Sequence, residues 1–188
     1  GLVGEVDGDA PVEQRQADAV RLVVAAAEAD ALAQHFGSKR GDEVGERPLA
    51  LITGGARRVG RTTSLALARG GCDLIVTYRS SRGGARALID EVRGFGANVA
   101  AERLDLGDLV EVRAFAAAIA RSHRRLDVLV HNASIYAPTP LDAAAREAGE
   151  GEFGVEDFTR VNAVAPLVLT AGLAGSLRNS ILPIGAGV

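Results

Sequence analysis

From residue 48 onward the chain alternates between two kinds of apolar pattern. Short, nearly unbroken apolar runs occupy 49–53 (LALIT), 72–78 (CDLIVTY), 98–106 (NVAAERLDL), 126–134 (LDVLVHNAS) and 179–185 (NSILPIG). Between them lie stretches whose apolar residues recur at helical spacing: 61–71 (RTTSLALARGG), ended by Gly70-Gly71, then 82–95, 108–123 and a long stretch over 156–175. In 82–95, Ala85, Leu88, Ile89 and Val92 share one face. The short runs predict strands and the periodic stretches predict helices. Continuous apolar strands alternating with helices predict a parallel sheet covered on both faces and connected by right-handed crossovers.

Residues 1–47 do not follow this alternation. GLVGEVDGDAPVEQ is turn-rich, 12–36 predicts one helix with Val20, Val23, Val24, Ala27 and Ala31 at helical spacing, and 37–48 has linker chemistry. The segment reads either as a packing extension or as a partner-binding arm. The expected organisation is an N-terminal helical extension over 1–47 and a domain over 48–188. Its fold class is α/β, a Rossmann-type doubly wound parallel sheet.

Composition narrows the function classes. The 188 residues are 47% hydrophobic with 23 glycines and 4% aromatics, as in ordinary α/β proteins. A net charge of −3 and the lack of a basic stripe argue against nucleic acid. No apolar run approaches the ~18 residues of a membrane span, and the N-terminus lacks the basic-then-apolar order of a secretion signal. A single cysteine, Cys72, excludes an internal disulfide framework and fits a reducing cytoplasm, the expected location. Three scattered histidines offer no metal cluster. Of the 21 basic residues only Lys39 is a lysine, and the two tyrosines are Tyr78 and Tyr136.

Candidate chemistry begins at LITGGARRVG (51–60). Lying between the first strand and the first helix, residues 53–60 turn backbone N–H groups and a helix N-terminus toward whatever sits above the strand. A pyrophosphate is the natural occupant, although a tight turn alone would also use such glycines. Gly54, Arg57, Arg58 and Gly60 are the candidate contacts. An NAD site would carry Asp or Glu at the end of the second strand, to hold the adenosine ribose 2′-OH. This chain has Tyr78, Arg79, Ser80 and Ser81 there. A carboxylate repels a 2′-phosphate, whereas a guanidinium and two hydroxyls bind it. NADP(H) is therefore the expected cofactor, with a solvated Arg-Ser-Ser loop as the bland alternative.

These residues, over 48–185, resemble the short-chain dehydrogenase/reductase family. TGGARRVG (53–60) is similar to its Thr-Gly-x-x-x-Gly-x-Gly loop, with Arg58 in place of the middle glycine. Together with TYRSS (77–81), LDL (104–106), HNASIYAPTPL (131–141) and VNAVAPLVLT (161–170), it most resembles the pteridine reductases. The resemblance implies that Asp105 and Leu106 contact the adenine, and that Asn132, Ala133 and Ser134 line the cofactor's ribose and nicotinamide. Asp105 also reads as a carboxylate favoured at a helix N-terminus. His131 takes the place of the family's commoner first asparagine. By the same resemblance Tyr136 stacks on a pterin, Arg58 bridges pyrophosphate and substrate, and Asn162 holds a water in the proton relay. Tyr136 also reads as simple packing, and Asn162 as an asparagine satisfying local backbone.

The family's chemistry is hydride transfer at a carbonyl or imine carbon, coupled to proton transfer from a tyrosine whose pKa is lowered by a nearby lysine. No Tyr-x-x-x-Lys occurs here: Pro140 stands four residues after Tyr136, and Lys39 precedes the first strand. After the fifth strand, where the family has Ser (or Asp in pteridine reductases), the chain reads Gly185-Ala186-Gly187. The expectation is a cofactor-binding part truncated after the fifth strand, with the catalytic Tyr and Lys on a continuation or companion chain. The alternative is a non-catalytic NADP-binding or interaction module. The helix over 161–175 carries Val161, Val164, Leu167, Val168, Leu169 and Leu173 around most of its circumference, which predicts burial on more than one side. A homo-oligomer or companion chain would supply that cover.

Overall fold

The computed structural model describes residues 47–136, 153–177 and 181–182. The predicted N-terminal helix and residues 37–46 of the linker lie outside them, as do Lys39, Pro140 and residues 185–187. The described residues fall into two compact units. A sheet unit contains residues 47–103, 125–132, 177 and 181–182; a helical unit contains 104–124, 133–136 and 153–176.

The sheet unit runs β1 (Leu49–Thr53), α1 (Arg58–Arg69), β2 (Asp73–Tyr78), α2 (Arg82–Gly94), β3 (Val99–Arg103), β4 (Val128–His131) and β5 (Ile181–Leu182). All pairings are parallel, in the order β3-β2-β1-β4-β5. This is the predicted doubly wound sheet, whose strand order reverses between β1 and β4. Ala50, Ile52, Leu74, Val76, Val128 and Val130 form one core with Leu65, Leu67, Leu88 and Val92 of α1 and α2. Leu51, Ile75 and Leu129, alternating with them along the strands, are buried on the opposite face. The edge strand β3 differs, since only Val99 and Ala101 are partly buried.

Several element ends depart from the expected ones. The third strand stops at Arg103 rather than 106, because Asp105 folds the chain into a turn: its Oδ1 accepts from Gly107 N at 2.9 Å and its carbonyl from Asp108 N at 3.1 Å. β4 is shorter than 126–134; Leu126 makes only an isolated parallel bridge to Leu177, and Asn132 leaves the ladder. The first helix begins at Arg58, not Arg61.

The helical unit contains α3 (Leu109–Ser122), α4 (Val155–Thr159), a π-helical turn (Arg160–Val164) and α5 (Ala165–Leu173). The long helix predicted over 156–175 is thus one run broken by a π turn. Pro166 has no N–H for the Asn162 carbonyl and its ring crowds that oxygen, so the regular ladder fails in the turn before it. Val112, Ala116 and Ile119 of α3 pack with Ala165, Leu169 and Leu173 of α5. The approach is close: a Cβ at Gly172 would lie 2.7 Å from the Ala116 Cβ. Burial on this run follows one stripe, Val161-Ala165-Leu169-Leu173, while Leu167 is 71% exposed.

Candidate functional site

In the sheet unit, the loop from Thr53 to Gly60 sits at the carboxyl end of β1, where the strand order reverses. Gly54 adopts φ 65 and Arg58 φ 48, so the chain passes twice through the left-handed region, once with a non-glycine residue. The loop is fastened from three sides. From β2, Thr77 accepts the Gly54 N–H on its hydroxyl at 3.4 Å and the Gly55 N–H on its carbonyl at 3.2 Å. From α1, the buried Ser64 hydroxyl donates to the Gly55 carbonyl at 3.1 Å. Beyond β4, the Asn132 side-chain amide donates to the carbonyls of Thr53 and Gly54 at 3.0 and 3.1 Å. The Asn132 N–H also donates to Thr53 Oγ1 at 3.1 Å. Gly60 closes this ring. A Cβ there would stand 2.3 Å from the Gly54 oxygen and 2.4 Å from Asn132 Nδ2, so no other residue fits without displacing the loop.

The end of α1 that this loop presents is open. Its N-cap, Arg57, is extended and supplies no side-chain acceptor, and the first turn holds no acidic residue. The guanidinium of Arg57 reaches instead to the start of α2, where Nη1 donates to Ser81 Oγ at 3.3 Å. Gly84 makes that approach possible, since a Cβ on it would lie 2.9 Å from the Ala56 oxygen and 3.3 Å from Arg57 Cγ. The fold thus joins the predicted cradle to the predicted 2′-phosphate reader, with Arg57, Arg58, Arg79 and Ser80 exposed and Ser81 half-buried. An uncapped helix end, arginines around it and no carboxylate in either first turn suit a phosphate-bearing ligand.

Asn132 is engaged with the loop carbonyls, so its direct work is to shape the cradle. His131 pairs in register with Thr53, and burial lowers its pKa below the ordinary 6.5.

The remaining predicted residues belong to the helical unit. Leu106 is buried and Asp105 half-buried. The side-chain cap of α3 is Asp108, whose Oδ1 accepts from Val110 N and Glu111 N at 2.8 and 3.1 Å. Asn162 lies in the π turn, and its carboxamide pairs with the Ile135 backbone. Nδ2 donates to the Ile135 carbonyl and Oδ1 accepts its N–H, both at 2.9 Å. That two-bond clamp holds the stretch 133–136, on which Ser134 and Tyr136 are exposed, the latter by 66%.

Sequence reasoning missed Thr53, Ser64, Thr77 and Asp127. Asp127 is 1% exposed and ties β4 to β1, its Oδ2 accepting from Leu49 N and its Oδ1 from Arg125 Nε. The available signal was a polar residue inside an otherwise apolar run, at 53, 77 and 127.

A family profile described as short chain dehydrogenase matches residues 48–180. The chain belongs to the short-chain dehydrogenase family. Among its curated relatives, dehydrogenase/reductase SDR family member 13 of Bos taurus is 36% identical over 132 residues, covering 70% of this chain and 32% of that protein. A solved metagenomic short-chain oxidoreductase in complex with NADP superposes with a TM-score of 0.62 at 26% identity, over 72% of this chain and 61% of that one. A blue fluorescent protein from a metagenomic library, in complex with NADPH, gives 0.62 at 30% identity, over 74% and 56%. This short-chain dehydrogenase chain spans less than two thirds of the length of each. Among its described residues no helix is long and apolar enough to cross a membrane.

Proposed function

We propose that this chain supplies the NADP(H)-binding part of a cytoplasmic short-chain oxidoreductase, moving a hydride between NADPH and a pterin or carbonyl compound. The observation that carries this reading is the Arg57–Ser81 hydrogen bond, which links an uncapped helix end to a strand end bearing Arg79 and no carboxylate. The NADP and NADPH complexes among its structural neighbours support the same cofactor. In the sheet unit, Gly54 and Gly60 shape the loop in which Arg57 and Arg58 hold the pyrophosphate, and Arg79, Ser80 and Ser81 hold the 2′-phosphate. Asn132 shapes the cradle and borders the ribose. In the helical unit, Asp105 and Leu106 are assigned to the adenine, and Ala133 and Ser134 to the nicotinamide end. Tyr136 is assigned to the substrate, and Arg58 orients the substrate's electron-rich edge. When bound, NADPH supplies the hydride. Asn162 keeps the 133–136 stretch in place and has the polar atoms to hold a relay water. The 188 residues contain no Tyr-x-x-x-Lys, so the proton donor is assigned to a continuation or a companion chain.

The test is a titration with NADPH and NADH. Wild type should prefer NADPH, and Arg79→Asp should weaken NADPH by roughly a hundredfold while barely changing NADH. Equal losses would contradict the assignment. The missing dyad favours a second reading, a binding module without chemistry. NADPH oxidation with a pterin or a ketone, in the presence of any companion chain, separates the two. Binding without turnover, with any continuation and companion chain present, would establish the module.

A further inference from the structure

We infer that Thr77 is a positioning residue for the dinucleotide, placing the phosphate cradle in one frame with the 2′-phosphate reader. The inference rests on the NADP(H) reading above. Thr77 is 2% exposed and lies in β2 among Ile75, Val76 and Tyr78, where a valine would fill the space equally well. What threonine adds is an acceptor. Its hydroxyl takes the Gly54 N–H at 3.4 Å, and its carbonyl takes the Gly55 N–H at 3.2 Å. The first two amides of the cradle are thereby turned into the protein, and the donors left to face a phosphate begin beyond residue 55. The Ser64 hydroxyl holds the same peptide from the α1 side through the Gly55 carbonyl.

Arg79 follows Thr77 by two positions on the same strand end. The hydroxyl fixes where the cradle starts, and the β2 backbone, which Thr77→Val leaves in place, fixes where the reader starts. Without the hydroxyl, the half-buried Gly54 N–H lacks its acceptor, and the loop relaxes by turning that amide toward water. The turn displaces Arg57 and the open end of α1. Because every dinucleotide carries the pyrophosphate, the loss falls equally on NADPH and NADH, unlike a loss at Arg79.

The experiment compares the 188-residue wild type, Thr77→Val and Thr77→Ser by fluorescence titration with NADPH and NADH. Hydrogen exchange at the Gly54 amide and the melting temperature of each free chain complete it. Thr77→Val should raise both dissociation constants about tenfold with their ratio unchanged. Thr77→Ser should stay close to wild type, and the Gly54 amide should be protected in wild type and Thr77→Ser but not in Thr77→Val. Unchanged affinity in Thr77→Val, or a loss confined to NADPH, overturns the inference. If Thr77→Val does not fold, Thr77→Ser and the wild-type exchange decide: a fast-exchanging Gly54 amide in wild type overturns it. A wild type that binds neither dinucleotide overturns the cofactor reading and this inference together, an outcome separate from a binding wild type with an unaffected variant.

Discussion

The two helices α1 and α3 each follow a parallel strand, yet they begin in opposite ways. α3 is closed at its N-terminus. Asp108 accepts from two first-turn amides, and Glu111 places a second negative charge near the positive end of the dipole. α1 is open: its N-cap is an arginine without a capping bond, its first turn has no acid, and Arg58 sits in the left-handed region. The missing cap and the left-handed Arg58 each cost about 1 kcal/mol or more in the free protein. Arginines beside a positive helix end add to that cost, and a bound anion relieves it. One helix end is therefore closed by its own side chains, and the other is left able to take an anion.

The largest break in this contrast should come from Gly60→Ala. The new Cβ would meet the Gly54 oxygen and the Asn132 amide, so a loss of roughly 3 kcal/mol is expected in urea unfolding, together with NADPH binding. Arg57→Asp would give α1 the kind of cap that α3 has. It should add about 1 kcal/mol of stability while weakening NADPH roughly a hundredfold; an unchanged affinity would mean that the open end has no ligand to serve. The mirror experiment is Asp108→Ala, which should cost about 1 kcal/mol of stability and leave NADPH affinity unchanged.

The smallest effect belongs to His131, beside the cradle. Burial lowers its pKa in the folded chain, whereas the unfolded chain takes up a proton at the ordinary 6.5. The unfolded state binds more protons below that pH, so stability should be level above it and fall as pH drops through it. Denaturant midpoints on either side of neutrality would show this, and His131→Asn should flatten the dependence.

Much of this was legible in the chain. Every predicted strand and helix of the 48–188 pattern that lies in the described residues is present, because burial alternates along the chain itself and leaves its period in the sequence. The lack of a carboxylate after β2 and the arginines of 53–60 could likewise be read directly. Ends were harder to place. LDL continues an apolar rhythm beyond β3, while Asp105 turns the chain through a bond to Gly107 that periodicity does not record. Nor does periodicity reveal the π turn, whose asparagine is matched to Ile135, well separated from it in sequence.

What the sequence by itself determined was the order of elements, the open αβ junction and the sign of the charge around it. Those follow from residue type and local spacing. Only the tertiary structure decided which polar groups serve which backbone: Thr77 and Ser64 on the cradle, Asn132 across the β1–β4 switch point, Asn162 on Ile135. The physical reason is that a buried amide must find an acceptor wherever the fold brings one, and parallel crossovers bring neighbours from distant parts of the chain.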